Sequence, residues 1–293
     1  MTTTEEARYP KNPLPPQHQK KPGLESKLNP KPLYLGENYK AAGKLEGKVA
    51  VITGGDSGIG RSVAVHYAKE GAKIVFTYLP EEKADAEETI SVIEELGGEA
   101  VAISGDLKDY SFCEAVAKKA IDTFGQIDIL VNNAAFQNHI ETIDELSIEQ
   151  WDKTFKTNIY GYFFMTKAVM PHLKEGSAII NTGSITGLEG SKELLDYSAT
   201  KGAIHAFTKS LAKNLVDKRI RVNCVAPGPI WTPLNPSDRD AKDIKSFGES
   251  TPYKRPGQPE EIAPAYVYFA SNADSSYVTG EIISILGGDT TAG

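Results

Sequence analysis

From Leu45 onward, short apolar runs alternate with stretches in which apolar residues recur at helical spacing. Each apolar run is only a few residues long and contains little polar character, which is typical of parallel strands buried on both faces of a sheet. The stretches between them favour helices, as at Ile59, Val63 and Tyr67, which share one helix face. The predicted strands are 48–53, 73–78, 100–103, 128–131, 178–181, 221–225 and 282–286.

This alternation predicts an α/β fold: a single doubly wound, Rossmann-type domain whose seven-stranded parallel sheet has helices on both faces. The domain is expected to span residues 45–293, because no repeat of fixed period divides that length. Residues 229–255, which are rich in Ser, Asp and Lys, are predicted to form a substrate lid with short helices.

Residues 1–44 are different, because they are rich in proline and lysine and have neither strand nor helix periodicity. Such a segment buries too little apolar surface to form a core of its own, and we predict an N-terminal arm. Two alternatives remain open at this point. The arm is either a flexible tail or an extended segment that docks on this subunit or on a neighbour.

Composition and charge exclude several classes of function. The net charge of -7 argues against a nucleic-acid partner, because phosphate contacts require a basic surface. No run approaches the length of a membrane span and no secretory signal begins the chain, so a cytoplasmic protein is expected. The two cysteines, Cys113 and Cys224, do not form a CxxC pair and predict unreactive thiols.

A glycine-rich turn follows the first predicted strand, in the run TGGDSGIG at 53–60. Glycines at such a turn allow positive φ and let backbone amides approach a pyrophosphate, which the N-terminus of the next helix attracts. Gly54, Gly58 and Gly60 do not have GxGxxG spacing, and no P-loop lysine follows. Turn-shaping alone remains an alternative, but dinucleotides bind at this edge of doubly wound sheets.

Tyr197 and Lys201 are four residues apart at the start of a predicted helix and therefore share one face. A neighbouring cation favours the phenolate, so Lys201 is expected to lower the pKa of Tyr197 and make it a general acid–base. Ser184 ends a predicted strand at the ligand-binding edge, where its hydroxyl can polarise a carbonyl. Asn158 interrupts a helical stretch and is expected to hold a kink and a proton-relaying water.

Each of these residues could also have a purely structural role. Tyr197 and Lys201 could be an exposed pair on one helix face, Ser184 could cap the end of a strand, and Asn158 could be a core amide whose hydrogen bonds are satisfied. A serine hydrolase centred on Ser184 is disfavoured, because the GxSxG elbow is absent and none of the five histidines belongs to a motif.

Taken together, these motifs resemble the short-chain dehydrogenase/reductase family over about residues 45–293. The TGGDSGIG run resembles the family's dinucleotide loop, and Asp106-Leu107 its adenine-contacting pair. The run 132–135 resembles its NNAG motif, with Ala135 in place of the usual glycine. Pro227-Gly228 followed by Thr232 resembles the turn that holds the nicotinamide carboxamide. Asn158, Ser184, Tyr197 and Lys201 match the catalytic tetrad.

The resemblance implies hydride transfer between NAD or NADP and a small aldehyde, ketone or alcohol, without a metal. Tyr197 would exchange the proton, Ser184 orient the substrate oxygen, Lys201 bind the nicotinamide ribose, and Asn158 anchor a water chain behind Lys201. The residues expected at the cofactor are Gly54, Asp56, Ser57, Gly58, Ile59, Gly60, Tyr78, Asp106, Leu107, Asn133, Ala134, Ala135, Tyr197, Lys201, Pro227, Gly228, Ile230 and Thr232.

The long proline-rich N-terminus and the GGDSGIGR run narrow the resemblance to a branch of general-stress oxidoreductases, glucose/ribitol dehydrogenase homologues and aldehyde reductases. This branch implies a stress-related role and a homotetramer. One alternative is reduction of a carrier-bound 3-oxoacyl group, disfavoured because no basic cluster suits an acidic carrier. The other is a cofactor-binding stress sensor without turnover, disfavoured because the tetrad is intact.

The choice between NAD and NADP and the identity of the substrate remain open. The second strand ends at Tyr78 with neither the acid typical of NAD sites nor the arginine typical of NADP sites. Glu81 and Glu82 oppose a 2′-phosphate, whereas Arg61 and Lys83 attract one, and the balance slightly favours NAD. Residues 136–139, 185–194 and 229–255 are expected to wall a pocket for a small polar aldehyde, polyol or sugar.

Overall fold

A computed structural model describes residues 8–290 of the chain and gives a seven-stranded sheet. The strand order is β3-β2-β1-β4-β5-β6-β7, and each adjacent pair is parallel. The prediction of a doubly wound parallel sheet is therefore confirmed. The strands are β1 (Val49–Thr53), β2 (Lys73–Tyr78), β3 (Ala100–Ser104), β4 (Ile129–Asn132), β5 (Ala178–Thr182), β6 (Arg221–Pro227) and β7 (Ile282–Ile285).

Helices cover both faces of this sheet. Because successive side chains of a strand point to opposite faces, Ile52 packs with Val63 and Tyr266 on one face, while Val51 packs with Met165 on the other. The helices are α1 (Gly58–Lys69), α2 (Lys83–Glu95), α3 (Tyr110–Phe124), α4 (Ile148–Phe155), α5 (Gly161–Val169), α6 (Thr186–Glu189), α7 (Leu195–Leu215), α8 (Pro259–Ala270) and α9 (Asn272–Ser275).

Local sequence explains where several of these helices begin and end. The Asp109 side chain accepts a hydrogen bond from the Ser111 N–H at 2.8 Å and caps the start of α3. Gly125 ends α3 in the left-handed region with φ of 78°. Ser147 caps α4 in the same way as Asp109 caps α3. Within residues 8–290, no helix combines the length and the apolar character needed to cross a membrane.

The described part of the predicted arm lies along this chain's own domain. Leu14 and Leu28 are buried with Trp231, Ile244 and Phe247 of the predicted lid in a separate apolar cluster. The Trp231 indole N–H donates to the Pro30 carbonyl at 2.8 Å, which fixes the arm against that segment. Arm and lid thus share a core with each other. Residues 1–7 of the predicted arm and residues 291–293 of the predicted domain lie outside the described residues.

Candidate active site

The candidate site lies at the carboxyl edge of the sheet, where the strand order reverses between β1 and β4. This reversal opens a crevice in doubly wound folds, because the helices that follow the two strands cover opposite faces. The glycine-rich turn follows β1, and the run 132–135 follows β4. Ser184 comes just after β5, and Pro227 ends β6. The sheet topology therefore brings together motifs that are far apart in the sequence.

The glycines of the turn are required by its geometry. Gly54 and Gly58 have φ of 64° and 53°, in the region that favours glycine. A Cβ on Gly60 would lie only 1.9 Å from the Gly54 carbonyl oxygen, so no other residue fits there. Helix α1 begins at Gly58, and within residues 8–290 the N–H groups of Ile59 and Gly60 have no hydrogen-bond partner. This cradle of free amides fits a pyrophosphate.

The loop after β4 holds the turn in place. The Thr53 hydroxyl accepts hydrogen bonds from the N–H groups of Asn133 and Ala134, at 2.9 and 3.1 Å. The Asn133 side-chain amide donates to the carbonyl oxygen of Gly54 at 3.1 Å. Gly54, Asn133 and Ala134, which are expected at the cofactor, thus join the two sides of the crevice. Any contact with the cofactor would be a second role.

The other residues expected at the cofactor differ in how buried they are and in what they contact. Thr232 lies against the turn, because a Cβ on Gly58 would be 3.0 Å from its methyl carbon. Asp106 is exposed and pairs with Lys108, whereas the Leu107 side chain is buried in the core beside Gly161. Tyr78 is half-buried, and Ser57 and Ala135 are partly exposed. Gly228 is half-buried, while Asp56, Pro227 and Ile230 are buried.

Glu25 of the arm lies at the N-terminus of α1, a contact that the sequence analysis missed. Its side chain is 1% exposed; one carboxylate oxygen accepts the Gly58 N–H at 2.6 Å and the other pairs with Arg61 at 2.9 Å. The Glu25 N–H in turn donates to the Asp85 carboxylate at 2.7 Å. Glu25 is the only acidic residue between Glu6 and Glu37, which is the one signal in the sequence that could have marked it.

The predicted catalytic residues converge at the same edge. Tyr197 and Lys201 lie on the first turns of α7 and are 8% and 1% exposed. Ser184 lies close enough to Tyr197 to lower the pKa of its hydroxyl, and Thr186 donates to the Ser184 hydroxyl oxygen at 3.0 Å. The Lys201 ammonium donates to the Thr182 carbonyl at 2.7 Å and lies 5.4 Å from the centroid of the Tyr197 ring.

Asn158 lies in a π-helical turn, Lys156–Tyr160, between α4 and α5. Its amide N–H groups donate to the Phe136 carbonyl at 2.9 Å and the Thr200 hydroxyl at 3.0 Å. Its amide oxygen accepts the Phe136 N–H at 2.7 Å. From this π-helical turn, Asn158 joins the loop after β4 to α7 beside Lys201. Its N–H groups are fully used by these contacts, so only its oxygen retains capacity for the predicted water.

The pKa of Tyr197 depends first on how deeply its hydroxyl is buried. Burial raises the pKa of Tyr197 above its usual value, and the Ser184 hydrogen bond offsets only part of that rise. The Lys201 ammonium faces the Thr182 carbonyl, and its own burial lowers its pKa to about 8. Burial therefore dominates the pKa of Tyr197, and the lowering of that pKa by Lys201 stays a prediction.

Two further side chains have no role in this chemistry. Cys113 and Cys224 are free and buried, and burial raises the pKa of each thiol to about 12, which leaves both unreactive.

Among residues 8–290, no group of three or more His, Cys, Asp or Glu side chains is arranged to hold a metal ion.

Comparison with known proteins gives a consistent set of similarities. The family model described as "Enoyl-(Acyl carrier protein) reductase" matches residues 54–290. General stress protein 39 of Bacillus subtilis is 51% identical over 97% of this chain and 98% of its own. Glucose and ribitol dehydrogenase of Daucus carota is 48% identical over 94% and 96%. NADPH-dependent aldehyde reductase 1 of Arabidopsis thaliana is 48% identical over 91% and 94%.

Solved structures show the same architecture. A short-chain dehydrogenase from Burkholderia cenocepacia in complex with NADP has a TM-score of 0.78 and 30% identity, covering 84% of this chain and 98% of its own. A 3-ketoacyl-(acyl-carrier-protein) reductase from Brucella melitensis complexed with NADH has a TM-score of 0.75 and 33% identity, covering 83% and 98%.

The Glu25 contact leads to a prediction about the arm. Glu25→Ala would leave the Gly58 N–H and the buried Arg61 charge without their main partner, which typically costs about 3 kcal/mol. We expect the arm to open roughly a hundredfold more often, measured as faster trypsin cleavage after Lys27 under native conditions.

Glu88→Gln is the matched control. Glu88 also pairs with Arg61, at 3.4 Å, but its side chain is 42% exposed, so its loss should change the cleavage rate little. Equal cleavage rates for the two variants would show that Glu25 does not hold the arm.

Proposed function

Because this chain belongs to the short-chain dehydrogenase/reductase family, we propose that it transfers a hydride between a nicotinamide cofactor and a small aldehyde, ketone or corresponding alcohol. The chain is an oxidoreductase of alcohol and carbonyl groups. The observation that carries the proposal is the convergence of the buried Tyr197, Ser184 and Lys201 side chains at the crevice, where the Lys201 ammonium donates to the Thr182 carbonyl.

The roles of the catalytic residues follow from their contacts. The raised pKa of Tyr197 keeps the phenol protonated at neutral pH, so it can donate a proton to the carbonyl oxygen during reduction. Ser184 donates a hydrogen bond to the same oxygen and orients it. Lys201 remains mostly cationic near neutral pH and stabilises the phenolate that proton donation leaves. Asn158 positions α7 through Thr200.

The cradle at the start of α1 would hold the cofactor's pyrophosphate through the free amides of Ile59 and Gly60. When bound, the nicotinamide supplies or accepts the hydride. By the family resemblance, Thr232 and Gly228 would hold the nicotinamide end and Asp106 would contact the adenine end.

We propose NAD as the preferred cofactor. Arg61, which could have attracted a 2′-phosphate, is 1% exposed and paired with Glu25, so it is not available. Beyond β2, the Glu82 carboxylate turns back to accept the Leu79 N–H at 2.9 Å and lies near Asp56. A phosphate placed at this edge would be repelled to the extent that these carboxyls are ionised, which for Glu82 increases as the pH rises through about 8.

The broader setting of the protein is also proposed. The similarity to General stress protein 39 supports a stress-related role. A homotetramer is supported by an exposed apolar surface on α4 and α5, which includes Trp151 and Phe163. A 3-oxoacyl-carrier reductase is less favoured, since the net charge of -7 does not suit an acidic carrier.

Tyr197→Phe tests the proposed reaction. It removes the proton donor while keeping the ring, so kcat for carbonyl reduction should fall roughly 10²- to 10⁴-fold. NADH and NADPH oxidation would be measured against a panel of small aldehydes, ketones and sugars. Tyr160→Phe, at a tyrosine that is 50% exposed outside the site, is the control. A Tyr197→Phe enzyme that reduces carbonyls at the wild-type rate would refute the assigned proton donor.

The carboxyl groups at this acidic edge predict that the affinities for NADH and NADPH depend differently on pH. Burial, with repulsion from Asp56, raises the pKa of Glu82 to about 8. A bound 2′-phosphate favours protonated Glu82, so NADPH affinity should fall by up to about tenfold between pH 7 and about pH 9, while NADH affinity changes less.

Glu82→Gln should flatten the NADPH profile, because the titrating group is gone. Glu87→Gln, an exposed change in α2 five residues beyond Glu82, should not. Identical pH profiles for NADH and NADPH in the wild-type protein would contradict this assignment of the acidic edge.

A further inference from the structure

Three side chains from distant parts of the chain meet beside the active site. Asp238 of the 229–255 segment accepts hydrogen bonds from the backbone N–H of His139, at 2.9 Å, and from its ring Nδ1. Lys21 of the arm donates to Asp238 at 3.1 Å. Asp238 has a fully buried side chain, while Lys21 and His139 are 27% and 16% exposed. We call these three residues the polar clasp.

The polar clasp lies close to the proposed reacting groups. Asp238 is near enough to Tyr197 to raise the pKa of its hydroxyl electrostatically. The loop that carries His139 is bound at Phe136 by Asn158 of the tetrad. On its other side, the Ile140 N–H donates to the Glu193 carbonyl at 3.0 Å, just before α7 begins. The loop that carries His139 is therefore bonded to Asn158, to Glu193 just before α7 and to Asp238 of the 229–255 segment.

Counting hydrogen bonds identifies the one atom of the polar clasp that is free to bind a ligand. The Lys21 ammonium donates to the Gln137 carbonyl at 2.8 Å, to the Asn138 amide oxygen and to Asp238, which uses all its N–H donors. Both Asp238 oxygens are also occupied. Of the side-chain nitrogen and oxygen atoms of the polar clasp, only Nε2 of His139 has no hydrogen-bond partner within residues 8–290, and it is not among the buried atoms that lack one.

The chemistry of that nitrogen determines what it can bind. Asp238 is a buried carboxylate: burial raises its pKa, but His139 and Lys21 more than offset this and lower it to about 2. The Nδ1–H of His139 is therefore directed at Asp238, which leaves Nε2 as an acceptor on the neutral ring and a donor on the charged ring. A hydroxyl group satisfies either form, because it both donates and accepts, whereas an alkyl group satisfies neither.

We propose that His139 recognises a hydroxyl group next to the substrate carbonyl, with Lys21 and Asp238 as positioning residues. The substrate class is then hydroxylated aldehydes and ketones of the kind derived from sugars and polyols. This inference rests on the proposed carbonyl reduction and adds a residue that selects among carbonyl substrates. It also gives the arm a function, since Lys21 helps hold His139 in place.

Pairs of carbonyl compounds of nearly equal size test the proposal. Glycolaldehyde and propanal differ by a hydroxyl in place of a methyl, and so do hydroxyacetone and 2-butanone. For the wild-type protein we expect kcat/KM to favour the hydroxylated member by about tenfold, corresponding to one hydrogen bond. In His139→Leu this ratio should fall to about one, mainly through a higher KM for the hydroxylated member.

Further variants separate recognition from general damage to the fold. His139→Gln retains hydrogen-bonding groups and should recover part of the preference. Lys21→Met should reduce the preference through KM, because it loosens Asp238 without touching the substrate. His172→Leu changes an exposed histidine far from the polar clasp in sequence and should leave the ratio unchanged.

The outcomes are distinguishable. A preference that survives in His139→Leu, in a protein that still reduces carbonyls in a Tyr197-dependent way, would overturn this inference and leave the proposed function intact. An equal kcat/KM for both members of each pair in the wild type would also overturn it. Absence of turnover with every carbonyl compound would instead overturn the proposed function, and this inference with it.

Discussion

The turn that begins α1 folds back tightly on itself, because Gly60 has no side chain to collide with the backbone of the turn. Groups from other parts of the chain hold it in that shape. Thr53 and Asn133 hold it from the sheet side. Glu25 holds it from the opposite side by accepting the Gly58 N–H and pairing with Arg61. The N–H group of the first residue of α1 is thus used to hold the structure together. The N–H groups of the next two residues remain for a ligand. The proposed pyrophosphate site depends on this division.

The arm extends this constraint to the substrate side of the crevice. Over a short stretch it contacts the glycine-rich turn through Glu25, the loop after β4 through Lys21, and the lid through the buried leucines beside Trp231. A segment with no periodicity of its own is therefore ordered by contacts with three parts of the domain. Its position links the cofactor side of the site to the proposed recognition of substrate by His139.

The fold and the tetrad could be predicted because their signals are local: apolar runs for strands, and a Tyr and Lys four residues apart on one helix face. The contacts of Glu25 and Lys21 could not, since an isolated acid or lysine in a proline-rich segment does not identify its distant partner. The effect of burial on the Tyr197 pKa could not be predicted for a related reason. Spacing places a cation near the phenol, but the cost of burying the phenolate depends on the packing of the whole site.

The central claim is that this crevice transfers a hydride directly between the cofactor and a carbonyl carbon. The most direct measurement uses NADH carrying deuterium on one face of nicotinamide C4, with glycolaldehyde as acceptor and mass spectrometry of the alcohol. The account predicts deuterium on the product's carbinol carbon from one face of the nicotinamide and none from the other. An unlabelled product from both labelled cofactors, or equal labelling from both, would contradict it.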